Sequence, residues 1–134
     1  MKTLLTTTAA LIALAAPALA GDAEKGENEF KKCKACHMIA SDSETIVKGG
    51  KTGPNLYGVI GRVAGSQDGF RYGGGLEEAN AAGFEWTEEA VAAYVADPKA
   101  WLGEQGFAEK SKMTFKLRKG GEDVAAYLAS LTAE

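Results

Sequence analysis

Cys33-Lys34-Ala35-Cys36-His37 holds both cysteines and the sole histidine of a 134-residue chain. A Cys-x-x-Cys-His run is the attachment signal of a c-type haem. Two thiols add across the haem vinyl groups, and the imidazole beside the second thiol reaches one face of the iron. The spacing matters because one turn of backbone must present two sulfurs and one imidazole to the same side of one porphyrin. Other chemistries use Cys-x-x-Cys. A closed zinc site needs four ligands, and this run supplies three, so a carboxylate or a second chain would have to complete it. A thioredoxin-like dithiol needs no adjacent histidine and sits in a βαβ pattern, which the sequence lacks. A disulfide within the run would close too small a loop to stabilise much.

Upstream, Lys2 precedes an apolar run from Leu4 to Ala20 that closes on Ala18-Leu19-Ala20. This is the pattern of a secretory signal peptide with an A-x-A cleavage site. Thr6 to Thr8 and Pro17 interrupt it, and it is short for a membrane span. We therefore expect residues 1–20 to be removed and 21–134 to form one small domain, exported to the periplasm and without a membrane span. Glycine is abundant, 17 residues in all, about twice the usual share. Much of it falls between Gly49 and Gly75, where apolar periodicity is weak. So short and loop-rich a chain has a thin core of its own, and a buried haem would give the loops an apolar body to pack on.

Periodicity and capping place the helices. Asp22 reads as the N-cap of a helix from about Ala23 to Ala35, with Glu24 and Glu27 favourably near its N-terminus. Residues Met38 to Gly75 read as loops, and a short helix is expected around Leu76 to Ala82. Thr87 caps a helix with Val91, Tyr94 and Val95 on its apolar face, stopped by Asp97-Pro98. Ala100 to Leu102 adds a short turn, and a basic loop runs from Gly103 to Lys119. A last helix spans about Gly121 to Leu131, with Val124, Tyr127, Leu128 and Leu131 in helical register. No strand alternation of any length is evident, so the class is all-α with long loops.

The face of the iron opposite His37 needs a second ligand or stays open. No second histidine exists. Met1 leaves with the signal peptide and Met38 adjoins His37, so it cannot cross to the far side. Met113, about 76 residues downstream of His37, has enough chain to return over the other face. Methionine is also a common filler of cores, and a five-coordinate iron is the other option. Lys110 and Lys112 argue against a buried core segment there.

Charge is uneven. The net formal charge is −3, or −4 once Lys2 is removed with the leader. Lys31 to Lys51 carries +3 and Lys110 to Lys119 carries +5, whereas Asp68 to Glu109 carries −7. The segments bearing His37 and Met113 are the two basic ones. Lys34, Lys51, Lys112, Lys116 and Lys119 are thus candidates for docking an acidic partner, against the alternative of ordinary surface lysines. The acidic total speaks against nucleic acid.

The motifs Gly26-x-x-x-Phe30, Cys33 to His37, Thr52-Gly53-Pro54-Asn55-Leu56, Gly61-Arg62, Trp86, Tyr94 with Asp97-Pro98, Lys112-Met113-Thr114-Phe115 and Tyr127-Leu128 occur in an order that closely resembles class I c-type cytochromes of the bacterial cytochrome c2 group. The match covers nearly all of residues 21–134. The resemblance implies a small cytochrome c fold, with first and last helices crossing at Gly26, Phe30 and Tyr127 and long loops around one covalently bound haem c. It implies Met113 as the distal ligand, the Pro54 carbonyl as acceptor for His37, and Tyr94 close to Met113. Arg62, Tyr72 and Trp86 would surround a haem propionate, since each can donate to a carboxylate. The implied activity is electron carriage by a monomer rather than enzymatic catalysis. Electrons would come from the cytochrome bc1 complex and go to a photosynthetic reaction centre, a terminal oxidase or another periplasmic reductase. A haem peroxidase or gas-binding protein is the rival, and it requires an open distal face.

Overall fold

The computed structural model describes residues 21–131. The expected signal peptide, residues 1–20, lies outside them. In chain order the elements are α1 (Ala23–Glu29), a 3-10 turn (Phe30–Lys32), β1 (Ile39–Ala40), β2 (Thr45–Val47), α2 (Gly74–Ala81), α3 (Glu88–Ala96), α4 (Pro98–Glu104) and α5 (Gly121–Ser130).

Local chemistry sets the boundaries. The Asp22 carboxylate accepts from the N–H groups of Glu24 and Lys25 and starts α1. The α-helix ends at Glu29, short of the expected Ala35. The chain tightens into the 3-10 turn, with Cys33 N–H donating to the Phe30 carbonyl at 2.8 Å, and Cys33 to His37 then folds as a separate turn. Thr87 caps α3 as expected, its hydroxyl accepting from Ala90 N–H. Asp97 has two roles. Its extended backbone ends α3, and its carboxylate accepts from Ala100 N–H to begin α4, with Pro98 in the first turn. Proline there lacks only an N–H that the first turn leaves unpaired anyway. A full helix therefore replaces the short turn expected at Ala100 to Leu102.

The antiparallel pair β1–β2 departs from the expectation of loops alone. Its strands are two and three residues long, too short for alternation to show in sequence. Ser41 makes the turn, its hydroxyl accepting from Glu44 N–H.

The core is built on α1, α3 and α5. Helices α1 and α5 cross where Gly26 lies against the Asp123 carbonyl; a Cβ on Gly26 would also come within 2.8 Å of Tyr127 Cβ. Phe30 and Tyr127 then pack ring to ring at 5.8 Å, and Asp22 N–H donates to the Asp123 carboxylate. Val124, Ala125 and Leu128 of α5 are buried with Val91 and Tyr94 of α3. Beside them, Phe84, Trp86, Tyr94 and Trp101 form an aromatic cluster with centroids 5.2–5.8 Å apart. Short backbone pairings fasten the 61–64 segment to 84–86, including Gly61 N–H to the Trp86 carbonyl at 2.7 Å and Trp86 N–H to the Arg62 carbonyl at 2.9 Å.

Among the described residues, no helix is long and apolar enough to cross a membrane.

Candidate functional site

The turn after the 3-10 segment is closed by Cys36 N–H and His37 N–H, both donating to the Cys33 carbonyl. It projects two free thiols and one imidazole into a cavity of about 360 Å³. That volume lies in the usual range for a cofactor or ligand site. The loop 49–53 lies across the back of the turn, with Gly50 N–H donating to Lys34 and Gly53 N–H to Cys36.

His37 is oriented by its neighbours. Its Nδ1 lies 2.8 Å from the Pro54 carbonyl. A carbonyl can only accept, so Nδ1 carries the proton and Nε2 keeps a free lone pair. Burial holds the imidazole below its ordinary pKa, and the bond to Pro54 opposes that shift. The neutral ring with one free nitrogen is the form that binds a metal. Gly53 stacks on the ring; a Cβ there would overlap it, lying 2.7 Å from Nδ1 and 2.8 Å from Nε2.

The Cys33 thiol is poorly suited to redox catalysis in this setting. Burial, then the nearby Glu29 carboxylate, pushes the Cys33 thiol up to about 11. Catalytic dithiols need the opposite shift, toward thiolate. Among the described residues no three His, Cys, Asp or Glu side chains form a metal-holding group.

Cys33, Cys36, His37, Pro54, Arg62, Tyr72, Trp86, Tyr94 and Met113, all named from sequence, line this one cavity. Met113 enters from the unstructured segment between α4 and α5, packed against the core. Arg62 is tied into its loop: Nη1 donates to the Tyr57 carbonyl and to Gln67, and Nη2 to the Asn55 carbonyl. Those bonds leave N–H donors of the guanidinium over. The Tyr72 hydroxyl accepts from Gln67 N–H and so keeps its own proton to donate. Trp86 is buried and stacks on Trp101 at 5.2 Å. A thioether, an oriented imidazole, two thiols and a group of donors around an apolar cavity fit a covalently held haem with a carboxylate edge.

The five lysines do not behave alike. Lys34, Lys51 and Lys119 are exposed. The Lys112 ammonium donates to the Arg71 carbonyl at 2.6 Å, a neutral acceptor that anchors the head group without cancelling its charge. Lys116 pairs with Asp97 at 3.2 Å. The Asp97 carboxyl is held below the usual carboxylate range, first by the Ala100 N–H and then by Lys116.

The roles of four residues are not evident from the sequence. Asn55 clamps β1 in both directions, its amide donating to the Ala40 carbonyl at 2.7 Å and accepting from Ala40 N–H at 3.1 Å. Gln67 joins Arg62 to Tyr72. Ser111 joins Tyr94 to Met113. Phe115 lines the cavity and is 45 % exposed. Asn55 and Phe115 sit in recognisable motifs, but their partners are distant in sequence. Gln67 and Ser111 carry no local signal.

No family model matches the chain. Curated relatives do. It is 60% identical to cytochrome c2 of Rhodobacter capsulatus over 127 residues, covering 92% of this chain and 93% of that protein. It is 53% identical to cytochrome c-550 of Paracoccus denitrificans over 136 residues, covering 96% and 88%. The solved structure of Rhodobacter capsulatus cytochrome c2 superposes with a TM-score of 0.79 at 58% identity, covering 82% of this chain and 97% of that one.

Proposed function

Because the chain belongs to the class I c-type cytochromes of the cytochrome c2 group, we propose that it is a soluble periplasmic electron carrier with a closed His/Met iron and no enzymatic activity. The chain carries one haem c, covalently joined through Cys33 and Cys36. When bound, that group supplies a one-electron ferrous–ferric couple. The protein's own task is to position ligands, exclude water and present one edge.

In this reading His37 would hold the iron through Nε2, with Pro54 fixing the ring, and Met113 would supply the second ligand. Arg62, Tyr72 and Trp86 donate to a propionate, and their hydrogen bonds lessen the cost of burying its charge. With His37 and Met113 both bound to it, the metal would offer no site to a substrate. The observation that carries this reading is the cavity shared by Cys33, Cys36, His37 and Met113. Residues 1–20 act as an export signal cleaved after Ala20, and 21–134 form the mature domain, a monomer. Electrons arrive from the cytochrome bc1 complex and leave to a photosynthetic reaction centre or a terminal oxidase.

An absorption spectrum of the purified protein, with and without ascorbate and carbon monoxide, tests this directly. A thioether-linked haem spectrum that ascorbate reduces and carbon monoxide leaves unaltered is expected. Rapid carbon monoxide binding would instead establish an open distal face and the peroxidase or gas-binding reading.

Docking uses Lys34, Lys51, Lys112, Lys116 and Lys119, with Asp97 damping the contribution of Lys116. Asn caps a helix as well as Asp does, so Asp97→Asn removes the damping charge and leaves α4 capped. The reduced variant is expected to react roughly twofold faster with hexacyanoferrate(III), a trianion, at low ionic strength. The gain should fade as the Debye length shrinks to about 3 Å at 1 M salt. An unaltered rate at low salt would take Asp97 out of the docking field.

A further inference from the structure

We propose that Ser111 is a positioning residue: its hydroxyl latches the Met113 peptide to Tyr94 and thereby keeps the Met113 thioether on the iron. The proposal rests on the reading of Met113 as the distal ligand.

The hydrogen-bond arithmetic of one hydroxyl decides the arrangement. Ser111 Oγ donates to the Met113 carbonyl at 3.0 Å and accepts from Met113 N–H at 3.1 Å. A serine has a single hydroxyl proton, and the carbonyl takes it. The contact between Ser111 Oγ and the Tyr94 hydroxyl at 3.3 Å must then run from Tyr94 O–H to the serine oxygen. Burial raises the Tyr94 pKa and keeps that proton in place. The phenol thus reaches the Met113 peptide through Ser111.

The two ends of this latch differ in rigidity. Tyr94 projects from α3 and packs edge-on against the stacked pair of Trp86, 5.2 Å away, and Trp101, 5.6 Å away. Met113 lies in a segment with no regular structure from Gln105 to Gly120. That segment is fastened elsewhere by Lys110, whose carbonyl accepts from Gly75 N–H, and by Leu117, whose N–H donates to the Val95 carbonyl. Between those points, among the described residues, both hydrogen bonds of the Met113 peptide groups go to the one serine oxygen. Ser111 therefore links a packed aromatic cluster directly to the Met113 peptide, in a strap whose neighbouring side chains Lys112 and Lys116 are held by the Arg71 carbonyl and by Asp97.

The test compares haem-loaded wild type with Ser111→Ala, Ser111→Thr and Tyr94→Phe. Three readouts are taken: the weak far-red sulfur-to-iron band of the ferric protein, the rate of carbon monoxide uptake by the ferrous protein, and the denaturant midpoint. Losing one or two net hydrogen bonds corresponds to a factor of roughly 5–30 in an opening equilibrium. Ser111→Ala is expected to speed carbon monoxide uptake by that factor and weaken the band. Ser111→Thr, which restores a hydroxyl, should return both toward wild type, and Tyr94→Phe should fall between. If Ser111→Ala shifts only the denaturant midpoint and leaves the band and the uptake rate unchanged, the latch is wrong. If wild type itself lacks the band, the Met113 reading fails first and takes the latch with it.

Discussion

Met113→Ala is expected to lower the reduction potential of the haem by on the order of 0.1–0.3 V, part of the roughly 0.8 V that axial ligands span. A thioether is a weak donor that favours the ferrous state, so His/Met ligation raises the potential relative to stronger donors. Alanine removes that donor and leaves the distal position to water or an added ligand. Ferrous Met113→Ala should therefore bind carbon monoxide readily where wild type does not. Redox titration of both proteins checks the first expectation, and carbon monoxide difference spectra check the second. An unchanged potential would remove Met113 from the coordination sphere, leaving the cavity with a single protein ligand at His37.

Gly26→Val should be the most destabilising single change in the frame. The α1–α5 crossing brings the Gly26 backbone against the Asp123 carbonyl and the Tyr127 Cβ, so any side chain must push the helices apart. The same crossing carries the Phe30–Tyr127 ring contact and the Asp22–Asp123 hydrogen bond, which cannot survive that separation unchanged. Overpacking of this kind costs about 3 kcal/mol or more, against a total of about 5–15 kcal/mol for a domain. Urea unfolding of the haem-loaded protein should show a much lower midpoint with a similar slope. A midpoint within error of wild type would mean that α1 and α5 meet elsewhere. Haem absorbance followed in the same titration reports whether the site is lost together with the frame.

Legibility in the sequence followed the range of the interaction. The caps at Asp22 and Thr87 act over two or three residues, and both were readable. The Cys33–His37 turn carries its chemistry within five positions, so attachment was readable too. Asp97 was readable as a stop, and its second role as the cap of α4 was not. A residue that ends one helix and begins another gives the same local signal as one that only ends it. The β1–β2 pair was invisible because two and three residues cannot display a period of two. Lys116 looked like a free docking charge until the fold brought Asp97 to it. Nineteen positions along the chain, that pairing leaves no local trace.

By itself, the sequence identified Cys33 and Cys36 as a covalent haem-attachment pair, set His37 beside them as the proposed iron ligand, and left Met113 as the one methionine with enough chain to reach the other face. Those conclusions depend on residue type and spacing, which are properties of the chain. Only the tertiary structure decided how the imidazole is turned, which donors remain to Arg62 and Tyr72, and what holds the strap that carries Met113. Each of those depends on an oxygen or nitrogen that the folded loops bring into place: Pro54 for His37 and Tyr94 for Ser111, each 17 residues away, and Asn55, Tyr57 and Gln67, five to seven residues away, for Arg62. A hydrogen bond is specified by distance and direction to within a few tenths of an ångström, and only the packed aromatic core and the crossed helices fix positions that closely.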